Sequence, residues 1–219
     1  MKKFWAENSL SIVLFLLFFV FLIGLSLTGY THENNELAAH GEEPIAFTEY
    51  LSSGDFIEAV FENWESEFLQ MGALVILTIW LKQKGSADSK KLKGKEDVDT
   101  HSRYSIISAS SWKNRGKAVS HAVYANSLGI ALFLLFFISF VFHALSGTAA
   151  ANEEALQHGE QQYSVIEYAS SSQFWFESFQ NWQSEFLAVG ALLVLSIYFR
   201  QRKSPESKPV GEKNSKTGR

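Results

Sequence analysis

The chain has 219 residues, a formal net charge of −4 and no cysteine, which excludes a disulfide framework and thiolate chemistry. Charged residues make up 19% and the mean hydropathy is close to zero, averages that would suit a soluble domain. They conceal four apolar blocks separated by polar segments, and that segregation points to a membrane protein.

The first block, Leu10 to Leu27, is broken only by Ser11, Gly24 and Ser26. At about 1.5 Å per residue it is long enough to cross a hydrocarbon core of about 30 Å as a helix. Lys2 and Lys3 before an apolar run would also fit a signal peptide. Against that, the run is long for a signal core, and its counterpart Leu128 to Leu145 lies in mid-chain. An uncleaved span is the expectation.

Tyr30 to Glu67 is acidic, with ten Asp and Glu and no Lys or Arg. Its first part reads as an exposed, partly helical loop whose helix is ended by Pro44. From Asp55 the pattern changes. Phe56, Val60, Phe61, Trp64 and Phe68 recur at three- and four-residue spacing and predict an amphipathic helix with an aromatic face, suited to a membrane interface. Phe68 to Leu81 is short for a span by itself, so the aromatic helix is expected to run on from about Phe61 to Leu81 as the second span. Asn63, Ser66, Glu67 and Gln70 then share one side of it.

Lys82 to Ser120 is a basic, polar linker without helical periodicity, expected to be largely mobile, with Ile106 to Trp112 lying against the membrane surface. The plan then repeats. Sliding the chain by 118 residues aligns Asn8 to Lys90 with Asn126 to Lys208 without a gap, and 38 of the 83 pairs are identical. The matches include Asn63-Trp64-Glu65-Ser66-Glu67-Phe68-Leu69 against Asn181-Trp182-Gln183-Ser184-Glu185-Phe186-Leu187, and His40-Gly41 against His158-Gly159. This is a duplication of one unit, too long in period for a solenoid. The expected organisation is a first two-span repeat at 1–91, a cytoplasmic linker at 92–121, a second two-span repeat at 122–209 and a disordered tail at 210–219.

All 19 Lys and Arg lie in the amino terminus, the linker or the carboxy tail, and none lies in 30–67 or 147–185. The positive-inside rule then places both termini and the linker in the cytoplasm and the acidic loops outside. Two spans per half give both halves the same orientation, a parallel repeat. The fold class expected is an all-α membrane protein with four transmembrane helices from two parallel tandem repeats, each with an aromatic amphipathic extracytoplasmic helix.

Asn-Ser-Leu at the start of each first span, the Glu-x-x-x-His-Gly loop and the paired Asn-Trp-x-Ser-Glu-Phe-Leu resemble an uncharacterised family of small bacterial membrane proteins, a domain of unknown function. The resemblance covers nearly the whole chain. It implies a bacterial inner-membrane location and supplies no activity, ligand or catalytic residue.

Glu67 and Glu185, with Asn63, Asn181, Ser66 and Ser184 beside them, form the sharpest candidate site. They read either as a carboxylate pair at the outer mouth of a bundle, binding protons or cations with one pKa raised, or as solvated headgroup-level residues. His40 and His158 each follow a Glu by four residues (Glu36, Glu154) and make a weaker metal candidate, lacking a third ligand. His143 faces Leu25 in the alignment and so reads as peripheral. Gly72 and Gly190 suggest close helix packing. The basic clusters beside the spans suit orientation and anionic lipid better than nucleic acid. No nucleotide-binding loop or nucleophile arrangement appears, so neither an enzyme nor a cofactor is expected. The expected partner is the lipid bilayer, with a homo-oligomer or a membrane-protein partner left open. The function expected is a structural or partner-binding membrane module with acidic, aromatic outward caps; the alternative is a small proton or cation transporter using Glu67 and Glu185.

Overall fold

The computed structural model describes residues 2–94, 96–99, 119–120 and 122–218, and the expectation for Ile106 to Trp112 falls outside them. Among the described residues the regular elements are helices, with no strand. The principal elements are α1 (Lys2–His40), α2 (Phe47–Tyr50), α3 (Gly54–Leu77), a 3₁₀ turn (Asp97–Asp99), α4 (Ser127–His158), α5 (Val165–Ala169) and α6 (Ser172–Tyr198).

Among the described residues, two helices, α1 and α4, are long and apolar enough to cross a membrane. In α1 the apolar side chains point away from the protein: Leu10 is 72% exposed and Phe21 69%. A water-soluble fold would bury such a surface, since each large apolar side chain gains about 1.5–3 kcal/mol by leaving water. At about 1.5 Å per residue α1 is also far longer than a hydrocarbon core is thick. The excess is the acidic extension from Tyr30, which continues as helix to His40.

That extension ends earlier than Pro44. Gly41 adopts φ +79°, Glu42 N–H donates to the Leu37 carbonyl at 2.9 Å, and Gly41 N–H donates to Ala38 at 3.2 Å. This is a left-handed glycine cap, which closes the open carbonyls of the last turn. The end of α4 is built in the same way, with Gly159 at φ +69°, Glu160 donating to Ala155 at 2.8 Å and Gly159 donating to Leu156 at 3.2 Å. The His-Gly pairs are helix stops.

The chain forms two compact units. The first comprises Met1–Phe61 and Phe142–Ser170. In it Asn34 folds the chain back after the glycine cap, its side-chain oxygen accepting from Ile45 N–H at 2.8 Å. Asn152 holds Tyr163 likewise, accepting from its N–H at 2.6 Å and donating to its carbonyl at 2.9 Å. Gly54 starts α3 hard against α4, where a β-carbon would lie 2.5 Å from Ala150 N and 2.9 Å from the Ser146 carbonyl. Phe61 and Phe142 stack with ring centres 4.6 Å apart.

The second unit comprises Glu62–Val141 and Ser171–Arg219. Its core is an aromatic run in which Phe136 meets Phe140 and Trp182, Phe140 meets Phe174, and Trp182 contacts Trp175 and Phe179. Phe174 is completely buried. Edge-on and tilted arrangements predominate, as the ring quadrupoles favour. Gly72 faces Phe133, where a β-carbon would come to 3.3 Å, whereas Gly190 has nothing within 4 Å. Close packing therefore applies at Gly72 alone of that pair.

The basic tail, expected to be disordered, folds over the turn at 85–89. The Lys208 ammonium is buried and donates to the carbonyls of Gly85, Asn214 and Lys216 at 2.5, 3.0 and 3.3 Å. Gly85 N–H donates to Thr217 Oγ1 at 2.8 Å, and Gly218 N–H to the Ser86 carbonyl at 3.0 Å. Burial holds the Lys208 pKa below its ordinary value, with the Arg200 charge adding to the effect.

Candidate functional site

The residues singled out by sequence spacing separate in the structure. Glu67 is exposed and Glu185 half-buried, while Asn63 and Ser184 are exposed and Ser66 is buried. Both serine hydroxyls turn back onto their own helix, Ser66 donating to the Asn63 carbonyl at 2.8 Å and Ser184 to the Asn181 carbonyl at 2.9 Å. Asn181 donates to the Glu177 carbonyl at 3.3 Å. These are local helix bonds of the kind short polar side chains make anywhere.

The buried carboxylate of this motif is Glu65, two residues earlier. It is fully enclosed, and its Oε1 accepts the indole N–H of Trp182 at 2.8 Å. The buried polar residues of α3 are thus Glu65, Ser66 and Gln70, while Asn63 and Glu67 are exposed. Spacing alone could not find it, because position 65 is Gln183 in the second half and the partner lies 117 residues away.

His40 and His158 are exposed, as are Glu36 and Glu154. Each imidazole Nδ1 donates to the carbonyl four residues back, Glu36 and Glu154 respectively, at 2.9 Å. The helical spacing is therefore as expected, but it joins each histidine to the backbone.

The histidine that reads as peripheral is instead buried. His143 is 0% exposed, in the first unit. Its Nε2 lies 3.9 Å from Oε1 of Glu58, at the start of α3, and that same oxygen accepts the Tyr168 hydroxyl at 2.7 Å. Tyr168, from α5, is 1% exposed. Gly147, one helical turn after His143, makes the convergence feasible. A β-carbon there would strike Glu58 Oε1 and lie 2.6 Å from both Cε1 and Oη of Tyr168. The signal for this cluster was present in the sequence: at its two charged positions the 118-residue match fails, His143 facing Leu25 and Glu58 facing Phe176.

The first unit also carries acidic groups. Burial pushes the Glu33 pKa up, and the charges of Asp55 and Glu153 push it further. Burial raises Glu153 likewise, with Asp55, Glu42 and Glu49 adding repulsion. The opposite occurs at the start of α5, where the hydrogen bonds of Ser164 hold the Glu167 carboxyl below its ordinary range. Ser164 N–H donates to Glu167 Oε2 at 2.7 Å and Glu167 N–H to Ser164 Oγ at 3.3 Å, a reciprocal cap.

These features define an all-helical protein with two helices capable of crossing a membrane and a buried histidine–carboxylate–tyrosine cluster. The family model described as Domain of unknown function (DUF6766) matches residues 1–219, and the chain belongs to that family. No curated protein and no solved structure matches it.

Proposed function

We propose that this is a multi-pass protein of the bacterial inner membrane, in which α3 and α6 complete four spans and two parallel repeats bring both acidic segments to the outer face. The observation that carries the reading is the complete absence of Lys and Arg from 30–67 and 147–185 beside two apolar helices. The duplication is supported by bonds that recur at a spacing of 118 residues: Asn34 with Ile45 and Asn152 with Tyr163, His40 with Glu36 and His158 with Glu154, and the glycine caps at Gly41 and Gly159.

Within that arrangement the protein acts as a structural or partner-binding membrane module that presents the acidic, aromatic caps outward, not as an enzyme. The exposure of Glu67 gives no support to an ion path through Glu67 and Glu185. Fusing a reporter that is active only outside the cytoplasm tests the topology. Activity is expected after Pro44 and Gln161 and none after Lys95 or Arg219; activity at Lys95 would overturn the parallel arrangement.

A further inference from the structure

Glu58 and His143 approach each other within the first unit. At 3.9 Å the nearest oxygen and nitrogen are too far apart for a hydrogen bond. An ion held at about 2.0–2.2 Å from each ligand would span up to about 4.2 Å, and a tetrahedral angle would need the pair to close by only about 0.5 Å. The ligand atoms are the right kind: an imidazole nitrogen and a carboxylate oxygen, with no thiolate anywhere in the chain. The surroundings complete the pattern. Tyr168 donates to the same carboxylate, the outer hydrogen bond that fixes a metal-binding oxygen in place. The Glu58 side chain keeps 16% exposure, which leaves a route in.

The duplication sharpens the argument. The matched positions are Leu25 and Phe176, both apolar, so each half supplies one member of the polar pair and hydrocarbon stands at both equivalent positions. Packing does not require a histidine at 143, since leucine serves at the matched place. Tyr168 and Gly147, by contrast, have their counterparts in Tyr50 and Gly29, so the scaffold is shared and the ligand pair is the addition.

We propose that Glu58 and His143 bind a divalent transition-metal ion, with Tyr168 orienting the carboxylate and solvent oxygen filling the remaining positions. The site does not depend on the membrane topology set out above. The test uses the full chain, purified in detergent with any affinity tag removed and titrated with Co²⁺ alone. Ligand-field absorption at one ion per chain, displaced by Zn²⁺, is expected. His143→Leu and Glu58→Gln should abolish it, Tyr168→Phe should weaken it about 10- to 100-fold, and the double variant His40→Ala/His158→Ala should bind as wild type does. His143→Leu installs the residue found at the matched position, and unchanged helical circular dichroism and elution volume verify its fold. Failure of the wild type to bind Co²⁺, an unchanged spectrum in His143→Leu and Glu58→Gln, or loss of binding in the His40/His158 double variant would each overturn the assignment.

Discussion

Glu65 accepts the indole N–H of Trp182 at 2.8 Å, so a carboxylate in α3 is tied to α6 across 117 residues of chain. Glu65 is wholly buried, so this hydrogen bond lies out of water. Trp182→Phe keeps an aromatic ring against Phe136, Trp175 and Phe179 while removing the N–H and the indole's second ring. Loss of this buried hydrogen bond together with the ring volume should cost about 1–3 kcal/mol. Glu67→Gln, at an exposed position, should stay within about 0.5 kcal/mol. Chemical denaturation in detergent decides between them, and equal effects would contradict the placement of Glu65.

Two glycines give opposite expectations. Gly147→Ala would drive a methyl group into Glu58 and Tyr168, and overpacking of this kind costs about 1–3 kcal/mol. Gly190→Ala meets nothing within 4 Å and should stabilise α6 by about 0.5–1 kcal/mol through helix propensity. Thermal unfolding of the two variants beside wild type checks both signs.

The acidic residues of the first unit set a pH dependence. The folded-state pKa values of Glu33 and Glu153 are raised, chiefly by burial and then by neighbouring acids. Their stabilising contribution is therefore fully present below the unfolded value of about 4.3 and is lost as pH rises through the raised folded values. Glu167, held low by Ser164, acts in the opposite sense: its contribution is present above the ordinary range and is lost only on further acidification. Melting temperature should thus fall between the ordinary glutamate range and neutral pH, with a shallower slope in Glu33→Gln. An identical slope in that variant would remove Glu33 from the explanation.

The fold was legible wherever one helix carries its own signal. Apolar length marks α1 and α4, and the spacing of Phe56, Val60, Phe61 and Trp64 marks α3. The helix stops were in view too, as the paired His-Gly dipeptides, although Pro44 drew the attention. The site was less legible. Three- and four-residue spacing identifies a face of a helix, but only the partner element decides which neighbouring face is buried. That is why Glu67 looked sharper than Glu65, whose partner Trp182 is remote in sequence. For His143, absence of a counterpart suggested a bystander, when a departure from an internal match marks what one half does and the other does not.

The carboxy tail gives a separate check. Replacing Lys208 with Met keeps the length of the side chain and removes the ammonium that gathers the carbonyls of Gly85, Asn214 and Lys216. Trypsin should then cut faster at Arg200, Arg202 and Lys203 than in wild type. Unchanged cleavage would mean that the tail is held by other contacts.

The absence of native cysteine makes the most direct measurement simple, because single cysteines can be labelled without background. Cysteine is placed in turn at Glu43, Gln161, Lys93 and Lys213, and intact cells are treated with a membrane-impermeant maleimide before and after permeabilisation. The account predicts labelling of the Glu43 and Gln161 variants in intact cells, and of the Lys93 and Lys213 variants only after permeabilisation. Labelling of Lys93 in intact cells, or protection of Gln161 in them, would contradict two parallel membrane units with their acidic faces outside.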